Sequence, residues 1–310
     1  MAEITLAQLA QYHLTQNYDY LYLKAMLEKA SSITTHGATL ITGSSHALNA
    51  VYEPAWKNAV NCSMHSQDLY YDFQCAKRVL ETPGIGQHYT RCFIVMGYYI
   101  AFQDLSRSKV SRESMISNIY YPIFGDAHNW KNPVANDPWA NLGSIPQSIQ
   151  EICENAAIQS LLSYSTYYSP VRSRGSFFNL GGRKWAEVSD DEREAMGQYR
   201  AESHNKIFQH KDSFLENKEI LKEFVDFLDL YQITPIVVIT PFTRAYNRYV
   251  LPEMKEAVLE LVDSVPKDVH YVDFNDALHL FNSTDFMDTD HLSASGAQKV
   301  SGILSEMFGT

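Results

Sequence analysis

The sequence ATLITGSSHAL, at residues 38–48, decides the fold of this 310-residue chain. It is an apolar run that ends in Gly43 and two serines, a pattern typical of a buried strand that turns into a helix. Glycine permits the sharp backbone turn between the two elements. In a parallel sheet this turn lies at the carboxyl edge, where open α/β folds bind ligands and where a helix start offers N–H groups to an anion. Ser45 is therefore a candidate nucleophile.

A second cluster of polar residues lies near the other end of the chain, in DFMDTDHLSASGA at residues 285–297. Here His291 stands three residues after Asp288 and just before a predicted last helix. A serine nucleophile needs an imidazole to accept its proton and a carboxylate to hold that imidazole in one tautomer. One short loop supplies both groups, so we predict a catalytic triad of Ser45, His291 and Asp288.

With these residues the chain resembles the SGNH, or GDSL-type, hydrolases. GSSH at residues 43–46 is similar to the first block of that family, usually Gly-Asp-Ser-Leu, with Ser45 at the nucleophile position and Ser44 in place of the aspartate. DTDH at residues 288–291 is similar to the last block, Asp-x-x-His. The residues that follow are similar to SGNH-like proteins of bacterial surface-polysaccharide and teichoic-acid pathways. The resemblance implies a flavodoxin-like SGNH fold and an esterase or acyltransferase activity.

The two middle blocks of the family are less similar. After the second predicted strand the family commonly has a glycine whose N–H binds the oxyanion, and here Ser63 is the best match. After the third strand the family has Gly-x-Asn-Asp, whereas this chain has GYYI at residues 97–100, so Gly97 matches and Tyr99 replaces the asparagine. Loss of one oxyanion donor typically costs about 100- to 1000-fold in rate. The candidates to replace it are Tyr99, Gln103 and Asn118.

Strands alternate with helices along the chain, which predicts right-handed βαβ units and a three-layer α/β/α sandwich around a five-stranded parallel sheet. The predicted strands lie at residues 38–42, 59–62, 91–97, 234–241 and 269–274. Apolar spacing predicts a helical preface at residues 3–32 that covers the sheet. Further helices are expected at residues 66–81, with Ser66 as the cap, and at residues 214–230, 252–265 and 296–308. The charges of residues 189–231 are interpreted as a solvated helix face.

The regular alternation stops between residues 98 and 182, where tyrosine, tryptophan, asparagine and proline are frequent. We expect this segment to be an insertion or lid within a single domain that spans residues 1–310. Its aromatic side chains have two interpretations. They stack on a sugar as a roof over the site, or they pack as core, and we favour the second because buried aromatics are common.

Composition excludes several classes of partner. The net charge of −11 and the lack of a Lys/Arg run argue against a nucleic-acid partner and against adsorption to anionic membranes. No apolar run approaches the ~20 residues that span a bilayer, and the start of the chain lacks a signal-peptide pattern. Four cysteines without metal-binding spacing are predicted to be reduced core thiols, namely Cys62, Cys75, Cys92 and Cys153. We therefore expect a cytoplasmic protein.

Other polar residues near the predicted strand ends are candidate ligands. Acidic residues surround His291, but their loop lacks the glycine and distal glutamate of an EF-hand and the chain has no HExxH helix, so we predict neither metal nor cofactor. Asp285 and Asp290 are expected to be solvated or to order the loop. His46 and His65 are expected to be surface or loop-ordering residues. Arg244 has two equal interpretations, an anion-binding residue and an exposed charge at a helix start.

Two functions follow from this sequence. In the first, a serine esterase or O-acyltransferase acts on an acylated glycan or related small ester, with the backbone N–H groups of Ser45 and Ser63 binding the oxyanion. In the second, a non-catalytic or nucleotide-sugar-binding α/β module of a glycan-assembly system holds a phosphate at residues 43–45. The second function stays open because Ser44 and Tyr99 differ from the aspartate and asparagine that the family has at these positions. The sequence predicts no oligomeric state.

Overall fold

A parallel sheet of five strands forms the centre of the computed structural model, which describes residues 5–52, 56, 58–142, 144–163 and 176–309. The strand order is β2-β1-β3-β4-β5, and every neighbouring pair is parallel. The strands are β1 (Ala38–Gly43), β2 (Ala59–Asn61), β3 (Tyr89–Met96), β4 (Thr234–Ile239) and β5 (His270–Asp273). The predicted five-stranded α/β fold is therefore confirmed.

Helices cover both faces of this sheet. The main helices are α1 (Leu6–Gln16), α2 (Tyr18–Ala30), α3 (Ser45–Ala50), α4 (Leu69–Leu80), α5 (Gln147–Leu162), α6 (Asp190–Asn205), α7 (Lys211–Leu230), α8 (Pro252–Asp263) and α9 (Ala294–Phe308). A π-helical stretch, Arg112–Tyr120, stands between the short helices Lys109–Ser111 and Tyr121–Phe124, and Arg244–Asn247 is another short helix. Short 3-10 helices lie at Gly86–His88, Tyr98–Phe102, Leu105–Arg107, Ala140–Leu142, Trp185–Glu187, Lys206–Gln209, Phe274–Leu280 and Ser283–Asp285.

Two apolar cores lie on opposite faces of the sheet, because side chains alternate along a strand. On β1, Leu40 belongs to the core that α2, α4, α7 and α8 cover, whereas Ile41 belongs to the core that α3 and α9 cover. On β3, Ile94 belongs to the same core as Leu40, and Val95 belongs to the same core as Ile41. All six residues of β1 are buried, as a strand covered on both faces requires. The three-layer arrangement follows from this division.

The end of β1 explains the glycine of the opening motif. Gly43 has φ +142°, a conformation that side-chain-bearing residues rarely adopt. A Cβ at this position would also collide with the carbonyl oxygen of Val95 on the adjacent strand β3. The chain therefore turns at Gly43 against β3, and α3 begins two residues later with Ser45.

Several details of the secondary-structure prediction were wrong, among them the end of β4, which is Ile239 and not residue 241. The helical preface is two helices that meet at Asn17, and only α2 lies on the sheet, while α1 packs with α5 around Trp139. Ser66 does not cap α4, because it has φ +57° in the preceding turn, and Asp68 is the cap, accepting the Tyr71 N–H at 3.1 Å. The strand β3 begins at Tyr89, two residues earlier than predicted.

The segment from residue 98 to 182 contributes mainly to packing in its described part. Tyr98, Phe102 and Tyr120 are at most 2% exposed, and Tyr120 stacks on Tyr71 of α4 with ring centroids 3.9 Å apart. This agrees with the core interpretation of its aromatic residues. Phe177 is an exception, with 55% of its surface exposed. The expectations for residues 164–175 fall outside the described residues, and so does Pro54, which is expected to end any helix that begins at Ser45.

All four cysteines are free and buried, as predicted. Burial raises the pKa of the Cys75 and Cys92 thiols well above the usual value, so these side chains stay protonated and unreactive. In the described part of the chain, every helix is too short or too polar to cross a bilayer.

Candidate active site

The nucleophile candidate Ser45 is the first residue of α3, at the carboxyl end of β1. Ser44 is the cap of this helix, and its carbonyl oxygen accepts the N–H groups of Ala47 and Leu48. Its hydroxyl also accepts the N–H of His46 at 3.4 Å. Ser45 keeps 9% of its surface exposed in this otherwise buried turn. The strand-to-helix turn therefore presents one reactive hydroxyl on a fixed backbone.

Ser45 lies next to the two residues that the sequence paired with it, and we call these three residues the candidate triad. The Ser45 Oγ is 2.9 Å from Nε2 of His291, and Nδ1 of His291 is 3.0 Å from Oδ1 of Asp288. These contacts join residues that are 246 positions apart in the chain. They give the imidazole one nitrogen for the hydroxyl and one for the carboxylate, which is the arrangement that proton transfer from a serine requires.

Backbone N–H groups hold the Asp288 carboxylate in place. Its Oδ1 accepts the N–H of Asp290 at 3.1 Å and the N–H of His291 at 2.9 Å. Its Oδ2 accepts the N–H of Phe177 at 2.7 Å, from a segment 111 residues away in sequence. The carboxylate is thus fixed by three backbone donors besides the imidazole, and the orientation of His291 is fixed with it.

Neighbouring strand ends also hold the triad loop. The N–H and hydroxyl of Thr243, which follows β4, both donate to the Thr289 carbonyl oxygen, at 3.0 Å and 2.9 Å. Within the loop, the Met287 N–H donates to the His291 carbonyl oxygen at 2.9 Å. Gly296 in the first turn of α9 lies against the Asp285 backbone, where a Cβ would collide with its carbonyl oxygen. The absence of a side chain at Gly296 therefore lets the start of α9 pack directly against the triad loop.

The charge on His291 reflects two opposing effects. Burial alone would lower the pKa of this imidazole, but the carboxylates of Asp288 and Asp290 outweigh burial and raise the pKa to about 9. At neutral pH the imidazole is therefore mostly protonated in the unliganded protein. The fraction of neutral imidazole, the form that accepts a proton from Ser45, increases as the pH rises toward 9.

The prediction of a solvated Asp290 or Asp285 was wrong, because both side chains are fully buried. The loop-ordering alternative agrees with their bonds. Asp285 accepts the Asn282 N–H at 2.9 Å and the Lys299 ammonium at 2.6 Å. Asp290 accepts the Nε–H of Arg200 at 3.0 Å and the Thr289 hydroxyl at 2.9 Å. Burial would raise the pKa of Asp290, but the charges of His291 and Arg200 hold it well below the usual range.

His46 was expected at the surface or in a loop and instead lies inside the site. It is 1% exposed, and its ring stacks on His291 with centroids 5.2 Å apart and planes 17° apart. Its Nδ1 lies 3.3 Å from the Thr240 hydroxyl, and its Nε2 has no hydrogen-bond partner among the described residues. Burial, followed by the charge of His291, lowers the pKa of His46 to about 3, so the ring is neutral. His65, in contrast, is partly buried.

Gly97 and Tyr99 surround the buried His46. A Cβ on Gly97 would lie 2.8 Å from His46 Nε2, so glycine is needed for close approach at this strand end. The Tyr99 ring meets His46 edge-on and stacks on His204 of α6 with centroids 3.9 Å apart. Burial raises the pKa of Tyr99 to about 12, so its hydroxyl stays protonated. The residue that replaces the family's asparagine is thus part of the packing behind His46.

The other predicted oxyanion donors are bonded elsewhere. Ser63 is fully buried, and its backbone N–H donates to Oδ1 of Asn61 at 3.1 Å. The Gln103 amide donates to the carbonyl oxygen of Ser66 at 2.7 Å. The Asn118 amide donates to the carbonyl oxygen of Ser114 at 3.2 Å, one turn earlier in its own helix. None of these bonds brings a donor to the Ser45 hydroxyl.

Arg244 is exposed, as the second of its two interpretations predicts. It lines a cavity of about 640 Å³ together with Arg193 and Arg248. Those two arginines are paired with Asp190 and Glu194, which also line the cavity. The candidate triad does not line this cavity. The cavity is nevertheless a neighbour of the site through its lining residues Phe242, which contacts His46, and Thr243, which bonds the triad loop.

Sequence reasoning missed Arg200 and His204 because α6 was interpreted as a solvated helix. One face of α6 is buried at Gly197, Ala201 and His204, and a Cβ on Gly197 would collide with the backbone of Ala245. Small residues at positions i and i+4, followed by a histidine three residues later, were the available signal for a packed face. The acidic residues at the start of the helix concealed it.

The atoms of Asp288, Asp290 and His291 also form a possible cation cluster. One ligand atom from each lies within 4.8 Å of the others, the one group of this kind within the described ranges. In this structure the same side chains bond Ser45, Arg200 and each other. A cation here would compete with the Arg200 guanidinium for Asp290, so the donor set fits an internal proton-transfer network better than a metal site.

In comparisons with known proteins, the chain matches no family model and no curated protein. The resemblance of its two motifs to SGNH hydrolases therefore remains a prediction. What the site is able to do is argued from its own atoms, beginning with the hydrogen bonds that join Ser45, His291 and Asp288.

Proposed function

We propose that the protein is an SGNH-type serine esterase or O-acyltransferase. One observation carries the proposal, namely the unbroken series of hydrogen bonds from Ser45 Oγ to His291 Nε2 at 2.9 Å and from His291 Nδ1 to Asp288 at 3.0 Å. A nucleophile that is bonded to a base, with the base oriented by a third group, is the general arrangement of nucleophilic catalysis. The position of Ser45 at the carboxyl edge of a parallel sheet supports it further.

In the proposed reaction the Ser45 Oγ attacks the carbonyl carbon of an acyl ester while His291 Nε2 takes the hydroxyl proton. The tetrahedral intermediate collapses, the bond to the leaving oxygen breaks, and His291 returns the proton to the leaving alcohol. An acyl-serine remains. Water then attacks this acyl group and gives hydrolysis, or a sugar hydroxyl attacks and gives O-acyl transfer. Asp288 holds the imidazole and stabilises its protonated form in both halves.

The oxyanion is proposed to bind the backbone N–H of Ser45. This group is at the first position of α3, where backbone donors have no partner within the helix. The Ser63 N–H becomes a second donor only when it leaves the Asn61 side chain that it contacts at 3.1 Å. With one or two donors and no asparagine at the position of Tyr99, we expect modest turnover relative to enzymes with a complete oxyanion hole.

The substrate class is proposed from the motifs. Their similarity to polysaccharide-pathway proteins favours an acylated glycan or a related small ester, without cofactor, metal or nucleic acid. The four free cysteines are consistent with a reducing compartment and support a cytoplasmic location.

Covalent labelling of the intact protein by a fluorophosphonate probe tests this function. We expect the native protein to be labelled and Ser45→Ala and His291→Ala to be unlabelled. Ser32→Ala is the matched control, because Ser32 is exposed in the turn before β1 rather than after it. Circular dichroism shows whether each variant is folded.

Two results would contradict the proposal. Native protein without label, or a Ser45→Ala variant that is labelled as well as Ser32→Ala, removes Ser45 as the nucleophile. A nucleotide sugar that binds the unlabelled native protein would instead favour the α/β binding module.

A further inference from the structure

Only one of the three nitrogen atoms of the Arg200 guanidinium has a hydrogen-bond partner among the described residues. Its Nε contacts both carboxylate oxygens of Asp290, at 3.1 Å and 3.0 Å. Neither of its two Nη groups has a hydrogen-bond partner among the described residues, and 14% of the side chain is exposed. Because each Nη carries two N–H donors, four donors of a permanently charged group beside the candidate triad have no partner in the part of the chain that the structure describes.

Phe177 holds this guanidinium from one side. The Phe177 ring centroid is 4.1 Å from the Arg200 Cζ, a cation–π contact, and the Phe177 N–H is bonded to Asp288. The ring itself is 55% exposed. Arg200 is therefore fixed by Asp290 at its Nε and by an aromatic face, and 14% of its side chain stays exposed next to the triad. A preorganised guanidinium of this kind pairs well with planar or tetrahedral oxyanions.

The charge of Arg200 acts on the centre of the site. Arg200 is bonded to Asp290, which is next to His291 in the chain, and its positive charge opposes protonation of the His291 and His46 imidazoles, which burial already disfavours. Arg244, by contrast, is exposed on the neighbouring cavity, where water and salt screen its charge. Of the two arginines, Arg200 therefore has the stronger field at the position of a bound ester.

We propose that Arg200 is a substrate-recognition residue whose free Nη groups bind a carboxylate or phosphate that the ester substrate carries. This inference rests on the proposed function, because it names the kind of ester that the candidate triad cleaves. The preferred substrate is then an acyl ester of an acidic compound, such as an acidic sugar or a phosphate-bearing glycan precursor. The anion lies on the Asp288 side of His291, where Phe177 and Arg200 meet.

Three matched acetyl esters test the proposal. They are 4-acetoxybenzoate, 4-acetoxyphenyl phosphate and the neutral methyl 4-acetoxybenzoate, and kcat/KM is measured for each by release of the phenol. We expect the native protein to prefer at least one anionic ester over the neutral one. The anionic ester with the larger preference distinguishes a carboxylate from a phosphate substrate.

The main variant combines Arg200→Gln with Asp290→Asn, so that no buried carboxylate is left unpaired. We expect the ratio of anionic to neutral kcat/KM to fall about 10- to 100-fold, as loss of a charged hydrogen bond predicts. Asp290→Asn alone retains Arg200, one acceptor oxygen for its Nε and the Phe177 contact, so this variant should keep a larger ratio than the double variant. Arg244→Gln removes one exposed positive charge elsewhere and should also keep it.

The other outcomes contradict either the role of Arg200, anion recognition or the serine chemistry. An unchanged ratio in the double variant, with the neutral ester still cleaved, excludes Arg200 as the recognition residue. A ratio that falls only in Arg244→Gln assigns the anion to the cavity at Arg244. Native protein that cleaves all three esters without preference, and is labelled by fluorophosphonate, disproves anion recognition but not the serine chemistry. Absence of both labelling and cleavage disproves both.

Discussion

The imidazole of His46 lies almost parallel to the imidazole of His291, with ring centroids 5.2 Å apart and planes inclined by 17°. One ring is neutral and the other is mostly protonated at neutral pH, because their pKa values lie at about 3 and about 9. His46 is the residue directly after the candidate nucleophile, so α3 carries both the hydroxyl and the surface against which its base rests. The stack thus ties the orientation of His291 to the helix that presents Ser45.

Replacing His46 by leucine tests whether this stack orients the base. Leucine has a similar volume. It removes a buried Nε2 that has no partner among the described residues, which offsets loss of the 3.3 Å contact between Nδ1 and the Thr240 hydroxyl, so we expect little loss of stability. Loss of the aromatic contact should slow fluorophosphonate labelling about 3- to 10-fold. His36→Leu, at an exposed histidine before β1, is the control and should label at the native rate. Equal labelling of both variants would show that the stack is only packing.

Gly97→Ala should disturb the same stack from below. The new Cβ would lie 2.8 Å from His46 Nε2 and 3.0 Å from the Tyr99 ring, so both rings must move. We expect the free energy of unfolding to fall by about 1–3 kcal/mol, as overpacking commonly costs, together with slower labelling. Urea denaturation and probe kinetics measure the two effects.

The matched control for this change is Gly302→Ala in α9. A Cβ there meets nothing within 4 Å, and alanine is favoured over glycine in a helix. This variant should gain about 0.5–1 kcal/mol of unfolding free energy and label normally. If Gly97→Ala is as stable and as reactive as Gly302→Ala, the close packing of His46 on Gly97 is not needed.

The pH dependence of labelling should report the protonation of His291. Its imidazole must be neutral to accept the Ser45 proton, and the folded pKa is about 9, so the rate should rise with pH and level off above about 9. Asp288→Asn removes the largest source of the raised pKa and should move this rise to lower pH, while the rate falls about 10,000-fold because the imidazole takes the wrong tautomer. A rate that is constant between pH 6 and 10 would contradict this role.

The same proton also links stability to pH. The folded protein binds it more tightly than the unfolded chain, whose histidines titrate near 6.5. Its contribution to stability is therefore complete below pH 6.5 and is lost as the pH rises through about 9. Thermal unfolding of native protein and His291→Gln should differ most below neutral pH and converge at alkaline pH.

Most of the fold was predictable because its signals are local. Five apolar runs separated by helix-forming segments gave the parallel sheet, and the β1–α3 turn was visible in Gly43 and the serines after it. Helix starts were less predictable. Ser66 and Asp68 are both good capping residues, and only the left-handed conformation of Ser66 decides for Asp68. The backbone conformation of a single turn residue is set by packing with distant parts of the chain, and this packing cannot be read from the local sequence.

The candidate triad was predictable from two short motifs, but its surroundings were not. Asp290 and Arg200 are 90 residues apart, and each by itself is an ordinary surface-type charge. Their burial follows from the way α6 lies against residues 244–247, an arrangement of non-adjacent elements. His46 was misjudged for the same reason, because its burial depends on Gly97, Phe242 and Tyr99 from other strand ends.

Asp72 of α4 offers a last prediction, on stability. This side chain is 1% exposed and accepts the Gln67 amide at 2.6 Å. Burial, above all, raises the pKa of its carboxyl group well above the usual value. Since the unfolded chain releases this proton near pH 4 and the folded protein keeps it, stability must fall as the pH rises from 4 through the folded pKa. Asp72→Asn removes that loss while keeping the shape and the acceptor oxygen.

We therefore expect Asp72→Asn to be more stable than the native protein at pH 8, because the native carboxyl group must either keep its proton or be buried as a charge. The difference should shrink toward pH 4, where both proteins carry a neutral side chain. Asp268→Asn, at an exposed aspartate, controls for the change in net charge and should leave the melting temperature nearly unchanged at both pH values. A less stable Asp72→Asn at pH 8 would mean that Asp72 is ionised in the folded protein and bound by a cation or by a donor other than Gln67.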